Sequence, residues 1–423
     1  MTFFGLTEAT VAPLVRELTR GDLDRDETRQ RFARAAWTGI SEPGDRVAGA
    51  LVAALGAAGA LEALIARAQP VEFAASVADA GGELGSEELA EGMARWAPRL
   101  ASGLAVIALQ QARRFGVRLV VPGDPEWPIG VDDLGAHAPI ALWVRGDPAL
   151  LTQATGGVAL VGARAATGYG EHVTMEASSG LVDRGYAIVS GAAYGIDGMA
   201  HRAALASDGV TIAVLAGGLD RFYPSGHEAL LTRIVEHGAV VSEVPCGTPP
   251  TKWRFLQRNR VIAAMSAATV VLEAGWRSGS LNTAAHASAL GRPLGAVPGP
   301  VTSSASAGCH RLVREFGATL VTTPDEMAEL APRDDREHRR GDGLGEPVGA
   351  DGRHPAARGL PPDAIRVLDA LSTRAPRDSG DVAARAGLSP AAARATLGML
   401  ELDGAVTASA AGWVKRRTPA AAR

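Results

Sequence analysis

From residue 116 onward the chain alternates short, uninterrupted apolar runs with longer stretches of helical spacing. Residues 158–161, 187–190, 211–215, 239–242, 269–272 and 294–297 are apolar and largely β-branched, without a polar position at every second place. That pattern predicts strands buried on both faces. Helix-sized segments lie between them, for example 170–184, 197–207 and 281–290. Strands alternating with helices predict an α/β fold with a doubly wound, mostly parallel sheet. The first 110 residues instead read as helical, with Ala-, Leu- and Arg-rich runs at 46–68 and 86–113 and a break at 41–45, where Asp45 is placed to cap the following helix. Residues 331–358 are charged, contain Gly and Pro and have almost no large apolar residues, which predicts a flexible linker. Beyond it, 364–371, 379–386 and 390–402 read as three helices, and 404–407 with 412–415 as a hairpin, the outline of a winged helix. The expected domains are therefore 1–110, 111–330 and 359–418, with the linker at 331–358.

Composition narrows the class. A hydrophobic share of 47% with 21% charged residues belongs to a folded protein, and 4% aromatics leaves helices and sheets packed largely through small side chains. The net charge of −4 excludes a coat of positive charge but permits a local basic groove. Cys246 and Cys309 form no pair at zinc spacing, so no metal site is expected and both thiols are expected reduced in a cytoplasmic protein. The start of the chain lacks the pattern of a signal peptide. The most apolar stretch, 47–61, is short of the roughly 20 residues that cross a bilayer, so a packed helix and no membrane contact are expected.

In a doubly wound sheet, ligands lie beyond the carboxyl ends of the strands. Five of these strands run into glycine-bearing loops: Gly162-Ala163-Arg164, Gly191 to Asp197, Gly217-Gly218-Leu219-Asp220, Gly275 to Ser280, and Pro298-Gly299-Pro300. One such loop is as easily structural as functional, but five on one rim point to an anionic ligand. The first turn places Arg164 where a dinucleotide site needs glycine, Ser190-Gly191 stands where an acidic ribose ligand belongs, and no phosphate-binding P-loop is present. The segment from Lys252 to Arg260 carries four cations, two aromatics and no acid, which suits phosphates and unpaired bases. Trp253 and Phe255 also fit a core, as does any aromatic on a helix. Asp197 is expected to cap a helix and His201 to order a loop; no nucleophile–base set emerges, so catalysis is not expected.

Taken together, Gly162-Ala163-Arg164, Ser190-Gly191, Tyr194-Gly195-Ile196-Asp197, Gly217-Gly218-Leu219-Asp220, Tyr223-Pro224, Arg258-Asn259-Arg260, Glu273-Ala274 and Ser278-Gly279-Ser280 resemble the DprA/Smf family in order and spacing across about 140 residues. The resemblance extends to Trp127-Pro128 upstream, to a sterile-alpha-motif-like helical domain at the start and to a winged helix at the end. It implies an extended Rossmann-like domain that binds single-stranded DNA, dimerises and loads the RecA recombinase onto incoming DNA in natural transformation. By the same resemblance Arg164 grips a phosphate. Gly162, Ser190, Gly191, Arg258, Asn259, Arg260, Ser278, Gly279 and Ser280 belong to the DNA-lining segments, and Lys252 falls near a basic residue of the groove. Ala192-Ala193, His227 and Asn282 depart from the family's usual residues without removing a cation or a loop glycine.

Two other readings are weaker. A nucleotide hydrolase of related fold would carry a PGGxGTxxE loop, which Glu273 to Ser280 lacks. A transcription regulator would need a basic recognition helix, whereas 390–402 offers only Arg394 and ends on Glu401.

Overall fold

The computed structural model describes residues 3–331, 360–409 and 411–416, so the expected linker, apart from Ala331, lies outside the described residues. Six helices come first: α1 (Glu8–Leu18), α2 (Arg25–Ile40), α3 (Arg46–Ile65), α4 (Pro70–Asp79), α5 (Ser86–Trp96) and α6 (Ser102–Arg114). Asp45 caps α3 as expected, its carboxylate accepting the Val47 and Ala48 N–H groups at 3.1 and 3.3 Å. The same carboxylate accepts from the Trp96 indole at 2.9 Å. Trp96 in turn meets Trp37 edge-on at 5.1 Å, a geometry worth about 1 kcal/mol beyond its buried area. By length and composition α3 is the one described helix able to cross a membrane. Gly56 interrupts it at φ 68°, and Ala57, Ala60 and Leu61 beyond the break are buried in the core. The expected run at 86–113 is likewise divided, by a 3-10 turn at Ala97–Arg99.

The α/β region contains β1 (Val117–Val120), β2 (Leu142–Gly146), α7 (Leu151–Thr155), β3 (Val158–Gly162), α8 (Gly168–Asp183), β4 (Ile188–Ser190), α9 (Ile196–Ala206), β5 (Thr211–Leu215), α10 (Glu228–His237), β6 (Ala239–Ser242), α11 (Lys252–Met265), β7 (Ala268–Glu273), α12 (Ser280–Ala289), β8 (Leu294–Ala296), α13 (Ala307–Glu315), β9 (Thr319–Leu320) and α14 (Pro324–Glu329). The strands form one sheet in the order β1-β2-β6-β5-β4-β3-β7-β8-β9. It is parallel from β6 to β9, while β1 pairs antiparallel with β2 and β2 antiparallel with β6. Every residue of β5, β6 and β7 is buried, which explains why those segments show no alternation. Strand order reverses at β3, whose neighbours are β4 and β7. That reversal fixes where a crevice opens.

The last region has three helices, α15 (Pro362–Ala370), α16 (Ser379–Ala386) and α17 (Pro390–Leu402), and the hairpin β10 (Val406–Ser409)–β11 (Gly412–Lys415). Val367, Val382, Leu397 and Leu400 form its own small core. It meets the other two regions at a buried carboxylate, Glu42, at the α2–α3 junction. Glu42 accepts from Arg99 at 2.5 Å and from Arg254 of α11 at 2.8 and 3.0 Å. Arg99 also donates to the Ala384 carbonyl at the end of α16, at 2.5 Å, where the helix dipole favours a cation. Burial alone would raise the Glu42 carboxyl, yet Arg254, Arg99 and, farther off, Arg366 hold it down at about 2.

Candidate nucleic-acid interface

The loops beyond the carboxyl ends of the strands share a rim, but their backbone donors are not left open. The Asp197 carboxylate, in the first turn of α9, accepts the Ala193 N–H at 3.4 Å and lies near the backbone N–H groups of Gly162 and Gly191, although its burial pushes the carboxyl up. The cap position itself belongs to Gly195, at φ 76°. Asp197 is therefore a clamp on two turns and not the helix cap that its position in the sequence suggests. At the reversal point between β3 and β7, Glu273 plays the same part. Its carboxylate accepts the Thr167 N–H at 2.9 Å and the Thr167 hydroxyl at 2.6 Å. This is the helix start at which a dinucleotide would place its pyrophosphate, and a protein carboxylate occupies it.

The exposed chemistry lies to the other side of β3. Arg164, on the exposed β3–α8 loop, stands 5.2 Å over the Phe255 ring of α11. Arg258, one turn further along α11, lies 5.8 Å from the same ring. Tyr223, 51% exposed, tilts against Phe255 at 5.7 Å. Arg164, Phe255 and Tyr223 thus form one exposed cationic and aromatic platform, with the buried Arg258 beneath its ring. Gly191 leaves room for Arg258: a Cβ there would overlap the guanidinium, which would have to shift. Arg258 donates to the Val214 carbonyl at 2.7 Å, and burial pushes its guanidinium down to about 10, against the attraction of Asp197. Tyr194, also exposed, packs edge-on against His227 at 4.8 Å on the neighbouring loop.

The other expected site residues fall in three groups. Asn259 reaches the β7–α12 loop, donating to the Gly279 carbonyl at 3.4 Å and to Asn282 at 3.1 Å. Ser278 and Ser280 share a hydroxyl contact at 2.8 Å in that loop, and Gly279 between them is exposed. Lys252 opens α11 with an exposed side chain, and its N–H donates to Asp369 of α15 at 2.6 Å. Gly162, Ser190 and Arg260 face inward. A Cβ on Gly162 would strike Ile196 and the Glu273 carbonyl. The Ser190 hydroxyl donates to the Leu160 carbonyl at 2.6 Å. Arg260 is 3% exposed and paired with Glu243 at 2.6 Å. His201 does not order a loop as expected: it is fully buried, its Nδ1 contacts the Thr211 hydroxyl of β5 at 2.7 Å, and burial pushes it down to about 3.

Sequence reasoning missed Tyr194 and Tyr223 as rim aromatics and Asp197 and Glu273 as loop clamps. A signal for the tyrosines existed: each stands in a strand-end loop directly before a turn residue, Gly195 or Pro224. Both cysteines are unpaired and buried, and burial pushes both thiols up to about 12.

Residues 118–332 match the family of DNA recombination-mediator protein A, and residues 352–412 match the DprA winged helix domain. A Mycobacterium tuberculosis protein assigned as DNA processing protein DprA is 46% identical over 357 residues, covering 81% of this chain and 87% of that protein. Protein Smf of Escherichia coli is 44% identical over 192 residues, 45% of this chain and 50% of its own length. Among solved structures, DNA processing protein A of Streptococcus pneumoniae superposes with a TM-score of 0.55 at 29% identity, over 71% of this chain and 97% of its own. The chain belongs to the DprA/Smf family of DNA processing proteins.

Proposed function

We propose that this protein binds single-stranded DNA along the Arg164–Phe255–Tyr223 platform, protects incoming strands and delivers them to the RecA recombinase during transformation and recombination. The observation that carries this reading is the exposed Arg164 guanidinium stacked on an aromatic ring at the strand-end rim. A cation neutralises a phosphate while neighbouring rings stack unpaired bases, and neither interaction depends on sequence. A duplex hides its base faces and gains only the charge term. The description of the matching family as a recombination mediator supports the RecA step. The protein works as a cytoplasmic homodimer, in which linked sites raise apparent affinity. It acts by binding alone, with no bond made or broken.

Fluorescence anisotropy of a labelled single strand and a matched duplex, titrated across salt concentrations, tests the proposal. The single strand is expected to bind more tightly, with little dependence on sequence and a steep salt dependence. Arg164→Ala is expected to weaken binding to all sequences alike and to reduce the salt slope by about 1. Preference for duplex, or an unchanged slope in Arg164→Ala, would refute the assignment.

A further inference from the structure

Across the strand reversal from the platform, a second aromatic ring stands open on the same rim. The β7–α12 loop is closed by a four-residue turn in which the Ser278 N–H donates to the Gly275 carbonyl at 3.0 Å. Trp276 and Arg277 are the two corner residues of that turn, and both are exposed, Trp276 at 55%.

The ring is held in place. Arg311 of α13 lies 5.0 Å over the indole and is itself fixed by Glu315 at 2.7 Å and by the Phe316 ring at 5.4 Å. The root of the loop is tied to α13 as well, since the Gly308 N–H donates to the Ala274 carbonyl at 2.7 Å. On the opposite flank Asn259 of α11 donates to the Gly279 carbonyl at 3.4 Å. Phe255 of the platform lies one turn earlier on that helix, so platform and turn belong to one rigid rim. The neighbouring carboxylates are engaged, Glu315 with Arg311 and Glu273 with Thr167. Arg277 forms no ion pair among the described residues. From Phe255 to Asn259 the helix advances about 6 Å, and the three residues from Gly279 back to Trp276 span at most about 10 Å. With the Asn259 contact between them, the two aromatic residues stand within roughly 25 Å, which about seven nucleotides bridge at a stacked spacing of about 3.4 Å.

We propose that Trp276 is a second stacking station for the same single strand, with Arg277 neutralising a phosphate beside it. The proposal rests on the single-stranded DNA reading above. Arg311 covers one side of the indole and stiffens it, and a base stacks on the side left open. A ring fixed before the strand arrives loses little freedom on binding.

The test uses the full chain and a labelled oligothymidylate of about 20 nucleotides, long enough to meet both stations. Trp276→Ala is expected to bind at least roughly fivefold more weakly, the loss of one stacked base, and Trp276→Phe to recover most of that loss. Arg277→Ala is expected to lower the salt slope by about 1. Light scattering gives the mass of each variant, because an exposed ring also suits a contact between two copies of this chain. Wild-type binding with Trp276→Ala equally tight would overturn the station and leave the platform reading intact. A weaker Trp276→Ala that Trp276→Phe does not rescue, or one whose mass falls, would also overturn it and assign the ring to folding or to self-association. An unchanged slope in Arg277→Ala would overturn the phosphate contact. Absence of binding by the wild type would remove both readings.

Discussion

Replacing Glu42 by Gln tests the junction at which the three regions meet. The wild-type carboxylate answers Arg99 and Arg254 and is 8% exposed at its side chain. The amide keeps the volume, loses the charge and turns an N–H₂ group toward guanidiniums that can only donate. Holding a carboxyl at about 2 in place of its ordinary 4.5 corresponds to about 3 kcal/mol at neutral pH. The loss of one partner from a buried ion cluster gives the same scale, roughly 3–5 kcal/mol. In urea, with a slope of about 3 kcal/mol per molar, the midpoint of the transition that includes the junction should fall by about 1 M. The sign with pH follows from the lowered carboxyl: the stabilisation is complete above about 4.5 and disappears as pH falls through about 2. The gap between wild type and Glu42→Gln should therefore be full at neutral pH and shrink to about half by roughly pH 3. Urea melts of both proteins across that range measure it, and the buried His201 cancels because both carry it. A gap under about 0.5 kcal/mol at neutral pH, or one that stays constant on acidification, would refute the reasoning.

Gly191→Ala places a methyl group on the Arg258 guanidinium. It should lower stability by about 1–3 kcal/mol and weaken single-strand binding by displacing Arg258 from the Phe255 ring, as read by thermal melts and anisotropy. Arg260→Met strips the buried Glu243 of its counter-charge. A stability loss of about 3 kcal/mol is expected in a denaturant melt; a reduced salt slope of DNA binding without that loss would return Arg260 to the DNA surface.

The parallel strands were legible because burial on both faces leaves no room for polar alternation. The runs around 158, 211, 239 and 269 begin within one residue of the observed strands. β1, β2 and β9 were not singled out. β9 is two residues long with both exposed, and the other two form the antiparallel edge, where no crossover helix marks them. The break in α3 was hidden because Gly56 sits in an Ala- and Leu-rich run whose propensity favours helix on both sides. At the site, the cationic segment from Lys252 to Arg260 was visible as composition, but its division was not. Helical spacing sends Arg258 toward the rim and Arg260 toward Glu243, and only the position of β6 decides which cation finds a carboxylate. Asp197 and Glu273 were similarly out of reach, since their partners are backbone donors of loops remote in sequence.

Glu273 at the reversal point has a consequence for the size of ligand the fold can serve. A dinucleotide-binding relative would hold its cofactor by one concentrated contact, a pyrophosphate on a helix start, and so would recognise a small molecule. Here that seat is filled by the protein's own carboxylate, fastened to Thr167. What remains open is a surface of aromatic rings beside the Arg164 guanidinium, where a stacked base would add about 1–3 kcal/mol. Such a surface gives a lone nucleotide little and a strand much, because its contribution accumulates along the polymer. If the rim binds a single strand as proposed, the fold would discriminate by length: free nucleotides would be weak competitors, and a long strand would be favoured.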